Sequence, residues 1–361
     1  MNYKKFNKIT LLSILAAFFA TILFNFIIDP YHVFNTPKFE KINAIKNHTI
    51  NHGMSKFYTA KLANPTVLLI GTSRTAHMHP KYLQKYFSNE KIYNLAVPGS
   101  GIASQRNNIE YFIKHHKIKA IVYGVDFFAF NPTNNTPNSK EEGRYTDDFT
   151  KDYMDSLLSI RTLRKSIKTL GDNIKGKYQH LDYAIGWDTY ENDYLHIEKD
   201  GIPYIEAKTS KELQMLSTQN KHFNYAPFKE ASSIEKPLED IEKIVQLCKE
   251  NDIALHMFIS PIYSEIVDLI YSREYGKSYH HWKNELAKYG SVYDFSGYNS
   301  ITTDVSNYID GSHYQTKLAP LMFAKMFHDK SVDVPNDFGT ILTVQNIDKM
   351  LTTQEEIARQ K

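Results

Sequence analysis

Apolar positions follow three different patterns along this chain. The first is continuous: Ile9 to Ile28 (ITLLSILAAFFATILFNFII) carries no charge and only four polar side chains, Thr10, Ser13, Thr21 and Asn25. As a helix it would be about 30 Å long, the thickness of a bilayer's hydrocarbon core. No polar face interrupts it, which argues against a buried helix of a soluble fold. Lys4, Lys5 and Lys8 precede it, and Asp29-Pro30 closes it. The positive-inside tendency puts those lysines in the cytoplasm and the rest of the chain outside. The stretch exceeds the roughly 7–15-residue core of a signal peptide, and Ala17-Phe18-Phe19-Ala20 makes a poor small-x-small cleavage site. It therefore reads as an uncleaved single-pass anchor in the cytoplasmic membrane.

The second pattern is a series of short apolar runs separated by helical periodicity. Thr66–Ile70, Lys91–Ala96, Lys119–Val125, Ile253–Ile259 and Ser291–Asp294 read as strands. Helices are expected at Ser104–His116, Leu238–Glu250 and Thr316–Asp329. Near-continuous apolar strands alternating with helices imply βαβ units and a parallel sheet. The third pattern is polar: residues 131–236 are rich in Asn, Thr, Lys and Tyr, with one helical run near Asp152–Leu170 and a hairpin turn at Asp200-Gly201. The expected organisation is a cytoplasmic stub and anchor (1–30), a connecting segment (31–64), an α/β domain (65–335) with an insertion at about 131–236, and a C-terminal helical tail (336–361).

Composition narrows this picture. Of 361 residues 42% are hydrophobic, 13% aromatic and 23% charged, so the chain can bury a core. A net charge of +3, with no basic stripe interleaved with aromatics, gives nucleic-acid binding no support. The single cysteine, Cys248, excludes an internal disulfide and a Cys-based zinc site. It falls on the apolar side of a helical pattern, as a buried thiol would.

The chemistry-bearing residues sit at the ends of the expected strands. Ile70-Gly71-Thr72-Ser73-Arg74 follows the first one. Ligands of open α/β sheets bind beyond the carboxyl ends of the strands. A serine on that turn can serve as a nucleophile whose own amide helps hold an oxyanion, or it can cap the following helix. Asp310-Gly311-Ser312-His313 lies far downstream, where an Asp and a His three residues apart can act as orienting acid and general base. His77 and His79 have no third ligand spaced to join them, and read as surface or rim residues. Trp187, Tyr190, Tyr194 and Tyr204 form an aromatic group in the insertion, suited to stacking on sugar rings or to packing against the core.

Taken in order, Gly-x-Ser after the first strand, Asn94-Leu95-Ala96-Val97-Pro98-Gly99-Ser100-Gly101 after the second, and the late Asp-x-x-His resemble the SGNH (GDSL-type) hydrolase superfamily. The resemblance covers roughly Val67 to Lys325 apart from the insertion. It implies a flavodoxin-like three-layer α/β sandwich with a parallel sheet. It also implies Ser73 as nucleophile, Gly99 as an oxyanion-hole amide, Asp310 as orienting acid and His313 as base, with no metal or organic cofactor. The sequence departs from the family pattern at Thr72 and Arg74, which flank the serine. It also departs at the third strand, where Gly124-Val125-Asp126 lacks the asparagine that usually donates to the oxyanion. Ionised Asp126 is an acceptor, which leaves it a bond to Arg74, a bond to the substrate, or a turn cap. Arg74 is a candidate third donor.

With its anchor and its Gly-Thr-Ser-Arg block, the chain looks similar to the membrane-anchored branch that assists O-acylation of envelope polymers, as in alginate acetylation and lipoteichoic-acid D-alanylation. That resemblance implies an acylated envelope glycan or polyol polymer as substrate and a multispanning membrane O-acyltransferase as partner. Two other roles stay open: a non-catalytic glycan-binding or assembly partner of such an acyltransferase, and an esterase or lipase of the secreted type.

Overall fold

The computed structural model describes residues 3–46, 51–132, 142–176, 180–182, 186–189, 195–197, 203–205, 228, 230–310 and 312–361. They form two compact units.

The first unit gathers residues 1–62, 138–183 and 188–191. Its amino-terminal helix, Tyr3–Ile28, is long and apolar enough to span a membrane, and most of it is exposed. The helix ends in a folded exit. The Asp29 carboxylate accepts the Val33, Phe34 and Thr36 amides at 2.8, 3.3 and 3.4 Å and pairs with Lys46 at 3.3 Å. Residues 31–64, expected as a polar connection, contain the helix His52–Ala63, with Met54, Phe57, Tyr58 and Ala60 buried. The helical run expected near 152–170 is two helices, Thr150–Leu158 and Ile160–Lys175. Ser159 separates them, its Oγ accepting the Thr162 amide at 3.0 Å as an N-cap. Arg144 Nε and Nη2 donate to Asp152 at 2.7 and 3.0 Å, and Tyr58 OH donates to it at 3.0 Å. The start of the polar insertion thus folds with the amino-terminal helix.

The second unit gathers residues 63–137, 184–187 and 192–361 around a six-stranded, mostly parallel sheet. Numbered along the chain, its strands are β1 (Val67–Ile70), β2 (Ile92–Asn94), β3 (Ala120–Gly124), β4 (Ala254–Ile259), β5 (Val292–Asp294) and β6 (Thr340–Leu342). Their spatial order is β6-β5-β4-β3-β1-β2, and only β6 runs antiparallel to its neighbour. Every residue of β1, β2 and β3 is buried, the condition under which a parallel strand reads as an unbroken apolar run. The helices Ile102–His115 and Glu235–Glu250 pack together, as do Ser264–Ser272, Gly276–Ala287 and Ile347–Arg359. Cys248 is buried, and burial pushes its thiol up to about 12. Residues 336–361, expected as a helical tail, supply β6 before their helix Ile347–Arg359. The expected hairpin pairs Leu195–Ile197 with Pro203–Ile205; its turn at Asp200-Gly201 lies outside the described residues.

Strand order reverses around β1. The loops leaving β1 and β3 therefore diverge at the carboxyl edge of the sheet, where such folds bind ligands. Two glycines close the strands there. A Cβ on Gly71 or Gly124 would overlap the Thr75 hydroxyl, so the helix after β1 approaches both strand ends closely. At Gly124 a Cβ would also meet the Phe258 ring at 3.1 Å. Gly124→Ala is accordingly expected to destabilise the protein by about 1–3 kcal/mol through overpacking. Denaturant midpoints of the detergent-solubilised chain measure this, and an unchanged midpoint would contradict the close packing.

Candidate active site

Ser73 begins a one-turn helix, Ser73–Ala76, directly after β1. Gly71 makes the turn possible, since its φ of 152° is rarely open to a side-chain-bearing residue. Asp310 and His313 sit on a loop closed at its base by a bridge between Tyr308 and Tyr314, with the Ile309 amide donating to the His313 carbonyl at 2.8 Å. The structure brings the three together. His313 Nε2 lies 2.8 Å from Ser73 Oγ, and His313 Nδ1 lies 2.8 and 3.0 Å from the two Asp310 oxygens.

Electrostatics assigns the protons. Burial raises the Asp310 pKa, but the hydrogen bond and charge of His313 and the amides of Ser312 and His313 outweigh it, leaving the carboxyl at about 2. Those amides donate to Oδ1 at 2.7 and 2.8 Å. An ionised carboxylate only accepts, so the imidazole, when neutral, carries its proton on Nδ1 and turns a bare Nε2 toward the serine hydroxyl. That is the arrangement a general base requires.

Arg74 holds the two halves of this constellation in place. It is buried, and Nε and Nη2 donate to the carbonyl and hydroxyl of Ser312 at 2.9 and 2.7 Å. Its backbone carbonyl accepts the Tyr314 hydroxyl at 2.9 Å. Its guanidinium carbon stands 4.6 Å over the Phe128 ring, and Nη1 is 3.8 Å from Asp126. Asp126, also buried, accepts Thr72 Oγ1 and the Ser260 amide, each at 3.0 Å. The residues that depart from the resembled pattern, Thr72, Arg74 and Asp126, are thus neighbours in one network beneath the serine.

Gly99 lies in a turn tied to the serine's own loop. Val97 N and Ser100 Oγ both donate to the Gly71 carbonyl, at 3.1 and 3.2 Å. The Ser100 amide closes the turn on Val97 at 3.1 Å. Pro98 followed by Gly99 at φ 71° is the signature of a type II turn.

His77, expected at the rim, has its ring centroid 5.1 Å from that of His313. His79 instead accepts the Lys81 amide on Nδ1 at 3.1 Å. No short motif marks Ser260, Tyr314 or Phe128, and Ser312 is marked only by its place inside Asp-x-x-His. Gly311, Tyr190 and Tyr194 lie outside the described residues. Among the described residues no three His, Cys, Asp or Glu side chains are grouped to hold a metal ion.

The chain belongs to the family described as a protein of unknown function (DUF1574), whose model matches residues 9–327. No curated protein matches it. The matched span contains the amino-terminal helix, Ser73, Asp310 and His313.

The Asp310 carboxyl gives a testable pH dependence. Its folded value, about 2, lies below the ordinary aspartate value of about 3.9. Its contribution to stability is therefore complete above about pH 4 and is lost as pH falls toward 2. The stability gap between wild type and Asp310→Asn should narrow as pH falls from about 4 toward 2. Urea midpoints across that range measure the gap, and one that ignores pH would contradict the assignment.

Proposed function

We propose that this protein is a membrane-anchored, serine-dependent O-acyltransferase or esterase of SGNH type, acting outside the cytoplasmic membrane on an acylated envelope glycan or polyol polymer. The observation that carries the reading is the unbroken chain of short contacts from Asp310 through His313 to Ser73. The apolar amino-terminal helix, with Lys4, Lys5 and Lys8 before it, supports the anchored, outward-facing placement.

The chemistry runs in two balanced halves. In the first, Ser73 Oγ attacks the carbonyl carbon of an acyl donor while His313 Nε2 takes the hydroxyl proton. Asp310 holds the Nδ1–H and stabilises the imidazolium. The bond from carbonyl carbon to leaving oxygen breaks, His313 returns the proton to that oxygen, and the acyl group remains on Ser73 as an ester. In the second, an acceptor hydroxyl gives its proton to Nε2 and attacks the acyl carbon. The bond to Ser73 Oγ breaks, and the serine recovers its proton from His313. A polymer hydroxyl as acceptor gives transfer; water gives hydrolysis.

The Ser73 and Gly99 amides are the proposed oxyanion donors. The Ser73 N–H begins a helix and has no partner within it, and the space beside Gly99 is open. Arg74, whose fork is engaged by Ser312, acts in this reading as a positioning residue. Asp126 is an acceptor already bonded to Thr72 and Ser260, so no side-chain donor stands where the superfamily carries asparagine. One missing donor typically lowers the rate by roughly 10²–10³, which suits a slow, dedicated polymer-modifying enzyme. A multispanning membrane O-acyltransferase is the proposed partner and source of the acyl group.

Covalent labelling of the purified chain with a fluorophosphonate tests this reading. Wild type is expected to label at Ser73, with labelling abolished in Ser73→Ala and reduced by orders of magnitude in His313→Ala. Folded protein that does not label would overturn catalysis and leave the fold as a glycan-binding or assembly partner.

A further inference from the structure

The helix Ile160–Lys175 is turned inside out for a water-soluble protein. Its buried face is polar: Thr162, Ser166, Thr169 and Asn173 are at most 4% exposed, whereas Ile160, Ile167 and Ile174 are 70%, 57% and 64% exposed. Leu163 and Leu170 are half-buried. The five aliphatic residues recur at alternating spacings of three and four, which places them on one stripe. At 100° per residue, Arg164, Lys168 and Lys175 border that stripe on one flank, and the buried polar residues lie on the other. The helix carries five basic residues against the single acid Asp172.

Two side chains of that polar face, Ser166 and Asn173, bond to the end of the apolar amino-terminal helix and to its exit. Asn25, fully buried, accepts Ser166 Oγ at 2.9 Å and donates to the Leu157 carbonyl at 2.9 Å. Asn173 accepts the Ile45 amide at 2.9 Å and donates to its carbonyl at 2.7 Å. Asn25 lies three residues before the end of the Tyr3–Ile28 helix, about 5 Å along the axis. The midpoint of the basic helix therefore stands beside the last turn of the membrane-length helix. Phe26 and Ile27 are exposed at the same level.

We infer that the helix Ile160–Lys175 lies in the membrane interface, its isoleucine stripe in the outer acyl chains and its basic flank on anionic lipid headgroups. Three observations select lipid as the occupant: continuity with the membrane-length helix, the apolar stripe exposed beside it, and a bordering row of cations complementary to phosphate. A helix with this partition sits about 5–10 Å into the headgroup and acyl boundary. It would fix the tilt and rotation of the first unit on the bilayer surface, which a single span alone leaves free.

The inference rests on the amino-terminal helix being the membrane span, and the experiment separates the two. Cys248 is buried, so a cysteine introduced in the full-length chain takes an environment-sensitive fluorophore selectively. Ile167→Cys, Leu15→Cys and the exposed control Glu250→Cys are labelled and reconstituted in phosphatidylcholine vesicles with and without phosphatidylglycerol. The expected result is that the Ile167 probe loses most of its emission to an acyl-chain nitroxide and resists aqueous iodide, more so with the anionic lipid. A probe at Ile167 quenched by iodide like the Glu250 control would overturn the proposal, with Leu15 still lipid-quenched showing that the span alone survives. A probe shielded from both quenchers would also overturn it, because a second copy of the chain would then cover the stripe. Lipid quenching at neither Leu15 nor Ile167 would overturn the span as well.

Discussion

The Arg74 guanidinium joins two stretches of chain 238 residues apart, and the distance between Ser73 and His313 depends on it. Its backbone continues the helix that presents Ser73, while its fork grips both the carbonyl and the hydroxyl of Ser312, beside His313. A lysine could not reproduce this, because a point charge lacks the planar pair of donors. Burying the guanidinium has a large desolvation cost. The Phe128 ring beneath it and the Asp126 carboxylate 3.8 Å away offset that cost. Asp126 is held in turn by Thr72 and the Ser260 amide, so the ends of β1, β3 and β4 meet at one carboxylate. The network is built from Thr72, Arg74 and Asp126, the residues at which the sequence departs from the pattern it resembles.

How legible each element was follows from how its side chains are used. β1, β3 and β4 are crossed by neighbours on both sides, and such strands announce themselves as apolar runs. β6 does not: it is a three-residue edge strand with Thr340 exposed and Ile341 half-buried, and nothing in so short a pattern separates it from a loop. The His52–Ala63 helix escaped because Ser55, Lys56 and Thr59 are buried with Phe57 and Tyr58, so no apolar stripe marks it. Ile160–Lys175 has a strong helical period, yet which face turns inward cannot be read from the period. The usual assumption places isoleucines inside, and here Asn25 and Ile45 take the polar face instead.

The site divides the same way. Ser73, Asp310 and His313 were legible because each sits in a short motif at a strand end or loop. The ties that aim them, Arg74 to Ser312 and Asp126 to Ser260, span 238 and 134 residues and have no local signature. Order along the chain identified the participants, and tertiary packing supplied their geometry. The aromatic group of the insertion stands apart: Trp187 and Tyr204 fall on short strands, and Tyr190 and Tyr194 lie outside the described residues.

The proposed chemistry requires that the Asp310–His313 pair make Ser73 a nucleophile. Trapping the acyl-enzyme tests this most directly. Purified full-length protein is mixed with an activated acetyl ester, quenched in acid, digested and analysed by mass spectrometry. The account predicts that the peptide containing Ser73 gains the mass of one acetyl group within the first turnover, and that Asp310→Asn slows its formation by roughly 10⁴ because the imidazole loses the required tautomer. Acetylation that falls on other residues, or that proceeds at Ser73 equally fast in Asp310→Asn, would contradict it.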